Sequence, residues 1–124
     1  MKTIYLNIKA LTKKNQITDL CSKLGIETKT ILPSDLTKTI LCITKGSVPG
    51  MPEKLPVKVP IMYDMPELII FSGFEEQDVQ AFLKEFKNHN IERVPLKCVV
   101  TPYNLCWSLY DLIEHLKEEA KCNS

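Results

Sequence analysis

Five prolines fall within residues 46–66, and they set the first limit on what this chain can fold into. Pro49, Pro52, Pro56, Pro60 and Pro66, with Gly50 among them, exclude an uninterrupted helix, because proline has no amide hydrogen and its ring clashes with the preceding turn. Any strand there, such as Val57-Lys58-Val59, has to lie at a sheet edge. The same stretch carries Met51, Leu55, Val57, Val59, Ile61, Met62 and Met65, more apolar surface than a solvated linker tolerates. Residues 46–66 therefore read as an extended connector lying against the body of the protein. They divide the chain into a first half, 1–45, and a second, 67–121.

Each half alternates strand and helix. Ile4, Leu6 and Ile8 alternate with polar neighbours as a half-buried strand does. Thr12 is placed to cap a helix whose apolar stripe is Ile17, Leu20 and Leu24, with Gly25 at its stop. Residues 26–32 read as a second strand, and Pro33-Ser34-Asp35 opens a short helix that turns Leu36, Ile40 and Leu41 inward and ends near Gly46. In the second half Leu68-Ile69-Ile70-Phe71 is a buried-looking strand. Ser72-Gly73-Phe74-Glu75 has capping-box spacing ahead of a helix with Val79, Phe82, Leu83 and Phe86 on one face. Residues 94–100 form the fourth strand, and a closing helix is expected over 102–121.

The halves also match in spacing. Ile17, Leu20 and Leu24 parallel Val79, Phe82 and Phe86, and Pro33-Ser34-Asp35-Leu36 falls where Pro102-Tyr103-Asn104-Leu105 falls. An internal duplication accounts for this, and so does the similarity that physics imposes on any two amphipathic βα units. The fold class expected is α/β: a single domain spanning 1–124, made of two βαβα halves, with a mostly parallel four-stranded sheet flanked by helices. A chain of 124 residues suits one such core.

Charge narrows the partners. Sixteen Lys and Arg oppose fifteen Asp and Glu, a net of +1, so no bulk field draws nucleic acid or an anionic membrane, and neither is expected as a partner. No segment approaches the ~20 apolar residues of a membrane span, and the start of the chain lacks the apolar core of a signal peptide. The expected location is the cytoplasm. Cys21, Cys42, Cys98, Cys106 and Cys122 are odd in number and contain no C-x-x-C pair, and only His89 and His115 could join them, so neither a disulfide framework nor a metal site is indicated. No cofactor fingerprint is present, and no G-x-G-x-x-G, P-loop or H-E-x-x-H occurs. Cys106, one turn into the expected helix, is the one cysteine placed for a lowered pKa. Glu114, Lys117, Glu118, Glu119 and Lys121 read as a solvated helix face.

The run from Thr101 to Tyr110 carries what functional information there is. On a helix, Leu105, Leu109, Leu112, Ile113 and Leu116 fill one sector of ~100°, the width of a core stripe. Tyr103, Trp107 and Tyr110 fall opposite, as a ridge to be covered by 46–66, by a second copy of the chain or a protein partner, or by a ligand. Thr101 suits the N-cap, Pro102 the first helical position, and Asn104 can reach back to the cap. Free amides at such a helix start, with Lys97 nearby, would also hold a small anion. The function expected is thus a protein-interaction or regulatory module, with a homodimer among its forms, using the Tyr103, Trp107 and Tyr110 face. The alternative is a small-molecule anion-binding protein, or an enzyme, with its site at the turn near Lys97, Thr101 and Asn104. An enzyme is the less expected outcome, since those residues match no catalytic template.

The segment from residue 68 to about 118 resembles a bacterial domain-of-unknown-function family of short proteins. Phe71-Ser72-Gly73-Phe74, Val94-Pro95-Leu96-Lys97, and Thr101-Pro102-Tyr103-Asn104 followed by Trp107 carry the likeness: an apolar strand ending near a glycine, a P-L-K strand and a T-P-x-N-x-x-W helix start. Cys98 stands where that family has a small residue, usually alanine. The resemblance brings no activity. It implies that Lys97, Thr101, Pro102, Asn104 and Trp107 belong together.

Overall fold

The computed structural model describes residues 2–122, without the side chains of Lys121 and Cys122. In chain order the elements are β1 (Thr3–Asn7), α1 (Leu11–Lys23), β2 (Glu27–Thr30), α2 (Ile40–Lys45), β3 (Leu68–Ser72), α3 (Glu76–Asn88), β4 (Leu96–Val99) and α4 (Leu109–Cys122). They form one α/β domain around a four-stranded sheet of order β2-β1-β3-β4. β1 runs parallel to β2 and β3 parallel to β4, each pair joined through a helix. The two pairs meet antiparallel at the centre, with Tyr5 opposite Ile70, so the sheet is mixed though mostly parallel.

Strand alternation splits the interior in two. Ile4, Leu6, Ile69 and Phe71 face α1 and α3, where they meet Ile17, Leu20, Phe82 and Phe86. Tyr5, Leu68 and Ile70 face α2 and α4, where Ile40, Leu109, Leu112 and Ile113 close the second core. β1 and β3 are covered on both sides, which is why their sequences are nearly continuous apolar runs. β2 lies at an edge and reads Glu-Thr-Lys-Thr, and the apolar residues flanking it, Ile26 and Ile31, are the ones it buries.

Several element ends differ from the sequence reading. α1 is preceded by Ala10 with no side-chain cap, so Thr12 lies inside the helix, and Cys21 completes the buried stripe while Leu24 is exposed. The α3 cap sits one turn later than Ser72: the Asp78 carboxylate accepts the Glu75 amide at 2.9 Å. Pro33–Asp35 is a single 3-10 turn, and α2 begins only at Ile40. Val57-Lys58-Val59 forms no strand, because its neighbours are held elsewhere: Leu55 donates to the Thr37 carbonyl and Thr39 to that of Glu53, both at 2.9 Å. Met65, Val59 and Tyr63 nonetheless bring the connector onto the second core.

Local hydrogen bonding recurs between the halves. Leu32 donates its amide to Asp35 Oδ2 and Thr101 donates its amide to Asn104 Oδ1, each at 2.9 Å. Lys38 donates to the Asp35 carbonyl as Trp107 donates to that of Asn104. The segments then exchange bonds reciprocally: Ile40 to Trp107, Leu109 to Lys38, Leu41 to Leu105 and Tyr110 to Leu36, all at 2.9 Å. Every pair is related by one constant offset along the chain. Earlier in each half the offset is slightly smaller, since Ile26 donates to Cys21 as Ile91 does to Phe86, and residues 92–95 have no equivalent in the first half. Cys21 therefore corresponds to Phe86, and Ile17 to Phe82 rather than Val79. Apolar spacing alone cannot separate alignments that differ by one helical turn.

Candidate functional site

The closing helix does not start at Pro102. For it to do so, the Leu105 carbonyl would have to accept the Leu109 amide; instead it accepts Leu41, while Leu109 donates to Lys38. Pairing with the first half thus consumes the backbone groups that would have extended α4. Residues 101–107 form a turn, and Ser108 caps the helix by accepting the Asp111 amide at 3.1 Å.

Asn104 organises that turn. Its side chain is buried, and its Oδ1 holds the Thr101 amide while Nδ2 donates to the Val99 carbonyl at 3.1 Å and towards Cys98 Sγ at 3.5 Å. Thr101 Oγ1 accepts the Asn104 amide at 3.3 Å. This is the reciprocal cap expected of Thr-Pro-x-Asn, closing a turn instead of opening a helix. Both side chains are spent on the protein's own backbone.

With Tyr103 and Trp107 on the turn and only Tyr110 on α4, the three rings do not form a ridge. Tyr103 stands on the turn, 88% exposed. Tyr110 is covered edge to face by Tyr63 of the connector, centroids 5.1 Å apart, and Tyr63 donates its hydroxyl to Glu114 Oε2 at 2.8 Å. Burial pushes the Tyr63 hydroxyl pKa up, and Glu114 adds to the rise. Trp107 is half-buried and meets His115 edge to face at 5.1 Å. Together with Leu55, Cys106 and Asp111 these two rings line an open recess of about 320 Å³.

Lys97 goes elsewhere. On β4 the even residues Leu96 and Cys98 face the α4 core, whereas Val99 packs on the α1 and α3 side, the side to which strand alternation also assigns Lys97. Its Nζ folds back to donate to the Val94 carbonyl at 3.0 Å, away from Thr101. Burial, then the charges of Arg93 and Lys13, hold its pKa below the ordinary lysine range. The structure joins Thr101 and Asn104 with Cys98, joins Trp107 with His115, and sets Lys97 beside Arg93.

A charged pair that composition did not single out lies close by. Lys13, 5% exposed, donates to Glu67 Oε1 and to the Arg93 carbonyl, each at 2.8 Å, and Glu67 Oε2 accepts the Lys9 amide at 3.0 Å. The signal was available: Lys13 stands one turn before Ile17, on the apolar stripe of α1. Burial pushes the Cys21 and Cys98 thiols up to about 11, so neither is a nucleophile. Cys42 and Cys106 are also free, and the side chain of Cys122 lies outside the described residues. Among the described residues no three His, Cys, Asp or Glu side chains are grouped to hold a metal, and no helix is long and apolar enough to cross a membrane.

The strand, helix, strand and helix that carry the Asn104 turn and Trp107 are also where a comparison with known families finds a match. Residues 67–122 match the family described as a domain of unknown function (DUF3783). The DUF3783 match starts one residue before β3 and ends with α4, leaving the connector and the first half outside it. It includes all six residues expected at the site, Lys97, Thr101, Tyr103, Asn104, Trp107 and Tyr110. No curated protein and no solved structure matches the chain. The DUF3783 description names no reaction or ligand, so the biochemical function is unknown and is argued below from the geometry.

Proposed function

We propose that this protein is a cytoplasmic interaction module and that the recess around Trp107 receives a basic side chain, arginine above all, from a protein partner. The observation that carries this is the Asp111 carboxylate. It lines the same recess as Trp107, is exposed, and makes no ion pair among the described residues. A guanidinium that stacks on an indole and is met by a carboxylate is held by two favourable terms at once. A partly desolvated tryptophan is the residue type most often responsible for binding energy at an interface. Leu55 supplies apolar surface from the connector, so the recess exists only where the connector meets the second half.

The first half fits this reading as a built-in partner. The recurring bonds described above are what two copies of one βαβα unit would produce. With β1 on the edge of β3, and the 36–41 backbone against 105–110, surfaces of the DUF3783 segment that could pair with a second copy are already occupied. The free thiols and balanced charge agree with a cytoplasmic setting.

The test is an array of short peptides probed with the full chain. Binding is expected to concentrate on arginine-bearing peptides and to fall about tenfold or more in Asp111→Asn and in Trp107→Ala, with circular dichroism unchanged. Binding that ignores arginine, or that survives both substitutions, overturns the proposal. So does concentration-dependent self-association abolished by Trp107→Ala, which would make a second copy the occupant.

A further inference from the structure

A second cavity, at the opposite end of β4 from the Asn104 turn, has the chemistry of an anion site. It holds about 350 Å³ between the start of β4 and the last turns of α4, and its lining combines Arg93, Lys97 and Glu119 with Pro95, Leu96, Leu116 and Ala120. That volume suits a small organic molecule. Neither Arg93 nor Lys97 forms an ion pair among the described residues. Lys97 spends one of its three ammonium hydrogens on the Val94 carbonyl, which fixes the direction of the others. Lys13 holds the loop in place through the Arg93 carbonyl, leaving the guanidinium itself uncommitted.

Of the three carboxylates nearby, two are engaged by other donors. Glu119 lines the cavity and is paired with His115 Nε2 at 3.0 Å. Glu67 serves Lys13 and the Lys9 amide, and Glu67 and Glu92 line an adjoining cavity that shares Arg93, Pro95 and Ala120 with this one. Two cations, with Lys13 close enough to act on Lys97, thus share the cavity with the apolar surface of Leu96, Leu116 and Ala120. Mutual repulsion there is what an incoming negative charge would relieve.

We propose that this cavity binds a small organic carboxylate, its head group between Arg93 and Lys97 and a short apolar tail along Leu96, Leu116 and Ala120. A guanidinium can take a carboxylate through two parallel hydrogen bonds, and the apolar wall favours a tail over bare inorganic anions. The site is separate from the Trp107 recess, so either can stand without the other.

Titration of the full chain with acetate, butyrate and hexanoate, with inorganic phosphate as control and ionic strength held constant, tests this by thermal shift and by amide chemical shifts. Hexanoate is expected to bind at least tenfold more tightly than acetate, to raise the melting temperature by mass action, and to move the amides of residues 93–97. Lys97→Met and Arg93→Gln should each weaken it tenfold or more. The first removes a half-buried charge and the second alters an exposed side chain, circular dichroism checks that both variants fold, and Asp111→Asn should leave the titration unchanged. No response beyond sodium chloride, an equal response to phosphate, or a response that survives both substitutions overturns the proposal.

Discussion

Thr39 and Ser108 lie opposite each other in an antiparallel bridge, and each caps the helix that its own half contributes to the second core. Thr39 Oγ1 accepts the Cys42 amide at 3.1 Å and donates to the Pro52 carbonyl; Ser108 Oγ accepts the Asp111 amide. Both residues are buried. Removing either hydroxyl leaves a first-turn helix amide without its cap, so Thr39→Ala and Ser108→Ala should each cost ~1–2 kcal/mol. The bridge itself is backbone, through Ile40 to Trp107 and Leu109 to Lys38, and survives both changes. Urea denaturation of the double variant should therefore give a loss additive to within ~0.5 kcal/mol. A coupling well above that would show that the hydroxyls, not the backbone, hold the two caps together.

Asn104 and Asp35 perform the same turn closure with different stakes. Asp35 keeps 16% of its side chain exposed and also pairs with Lys38 at 2.9 Å. Asn104 is 8% exposed and serves two further acceptors, Val99 and Cys98. Asn104→Ala should cost ~2–3 kcal/mol, since the Val99 carbonyl and the Thr101 amide lose their partner out of water, whereas Asp35→Ala should cost ~1 kcal/mol. Chemical denaturation with unchanged m-values would measure both. Equal costs would mean that the Asn104 turn opens to solvent.

Much of this fold was legible because its signals are local. The strand at Ile4 and Leu6, the run Leu68-Ile69-Ile70-Phe71, the stripe of α3 and the repeated turn at Pro33 and Pro102 each depend on neighbours in sequence. What escaped depends on distant partners. The start of α4 moved from Pro102 to Leu109 because Leu41 and Lys38 claim its backbone groups, and no pattern within 101–110 announces that. The aromatic ridge failed with it. The antiparallel join at the sheet centre follows from how two βαβ units meet, which spacing does not encode. Lys97 and Asn104 share a stretch of sequence but not a site, because strand alternation carries Lys97 to the opposite side of the sheet from Cys98.

The Lys13 and Glu67 pair should govern the acid limb of stability. Burial pushes the Glu67 carboxyl up, but the hydrogen bonds from Lys13 Nζ and the Lys9 amide, with both ammonium charges, outweigh it and hold its pKa below the ordinary glutamate range. A carboxyl depressed in the folded state contributes stability that is present above the unfolded pKa of ~4.3 and is lost as pH falls through the folded value. The melting temperature should accordingly drop on acidification below about pH 4, in part through this group. Lys13→Met should cost ~3–5 kcal/mol at pH 7 by leaving Glu67 unpaired, and should flatten that part of the pH profile. Lys13→Met combined with Glu67→Leu should recover most of the loss. Failure to recover would place the stabilisation in the Arg93 carbonyl contact instead.

Met62 offers the opposite sign. It follows Ile61 in the turn that Tyr63 closes by donating to the Pro60 carbonyl at 3.2 Å, and it sits at φ 62°, a conformation that costs a side chain with a β-carbon ~1 kcal/mol. Its side chain is 94% exposed, so little packing offsets that cost. Glycine at this position pays no such penalty, although it adds freedom to the unfolded chain that takes back part of the gain. Met62→Gly is therefore expected to stabilise the protein by ~0.5 kcal/mol, read as a rise of a few degrees in melting temperature. Met62→Ala keeps the β-carbon and should change nothing. If glycine proved destabilising while alanine remained neutral, the loss would have to lie in the backbone freedom of the unfolded connector, and the strain assigned to Met62 would be smaller than its φ implies.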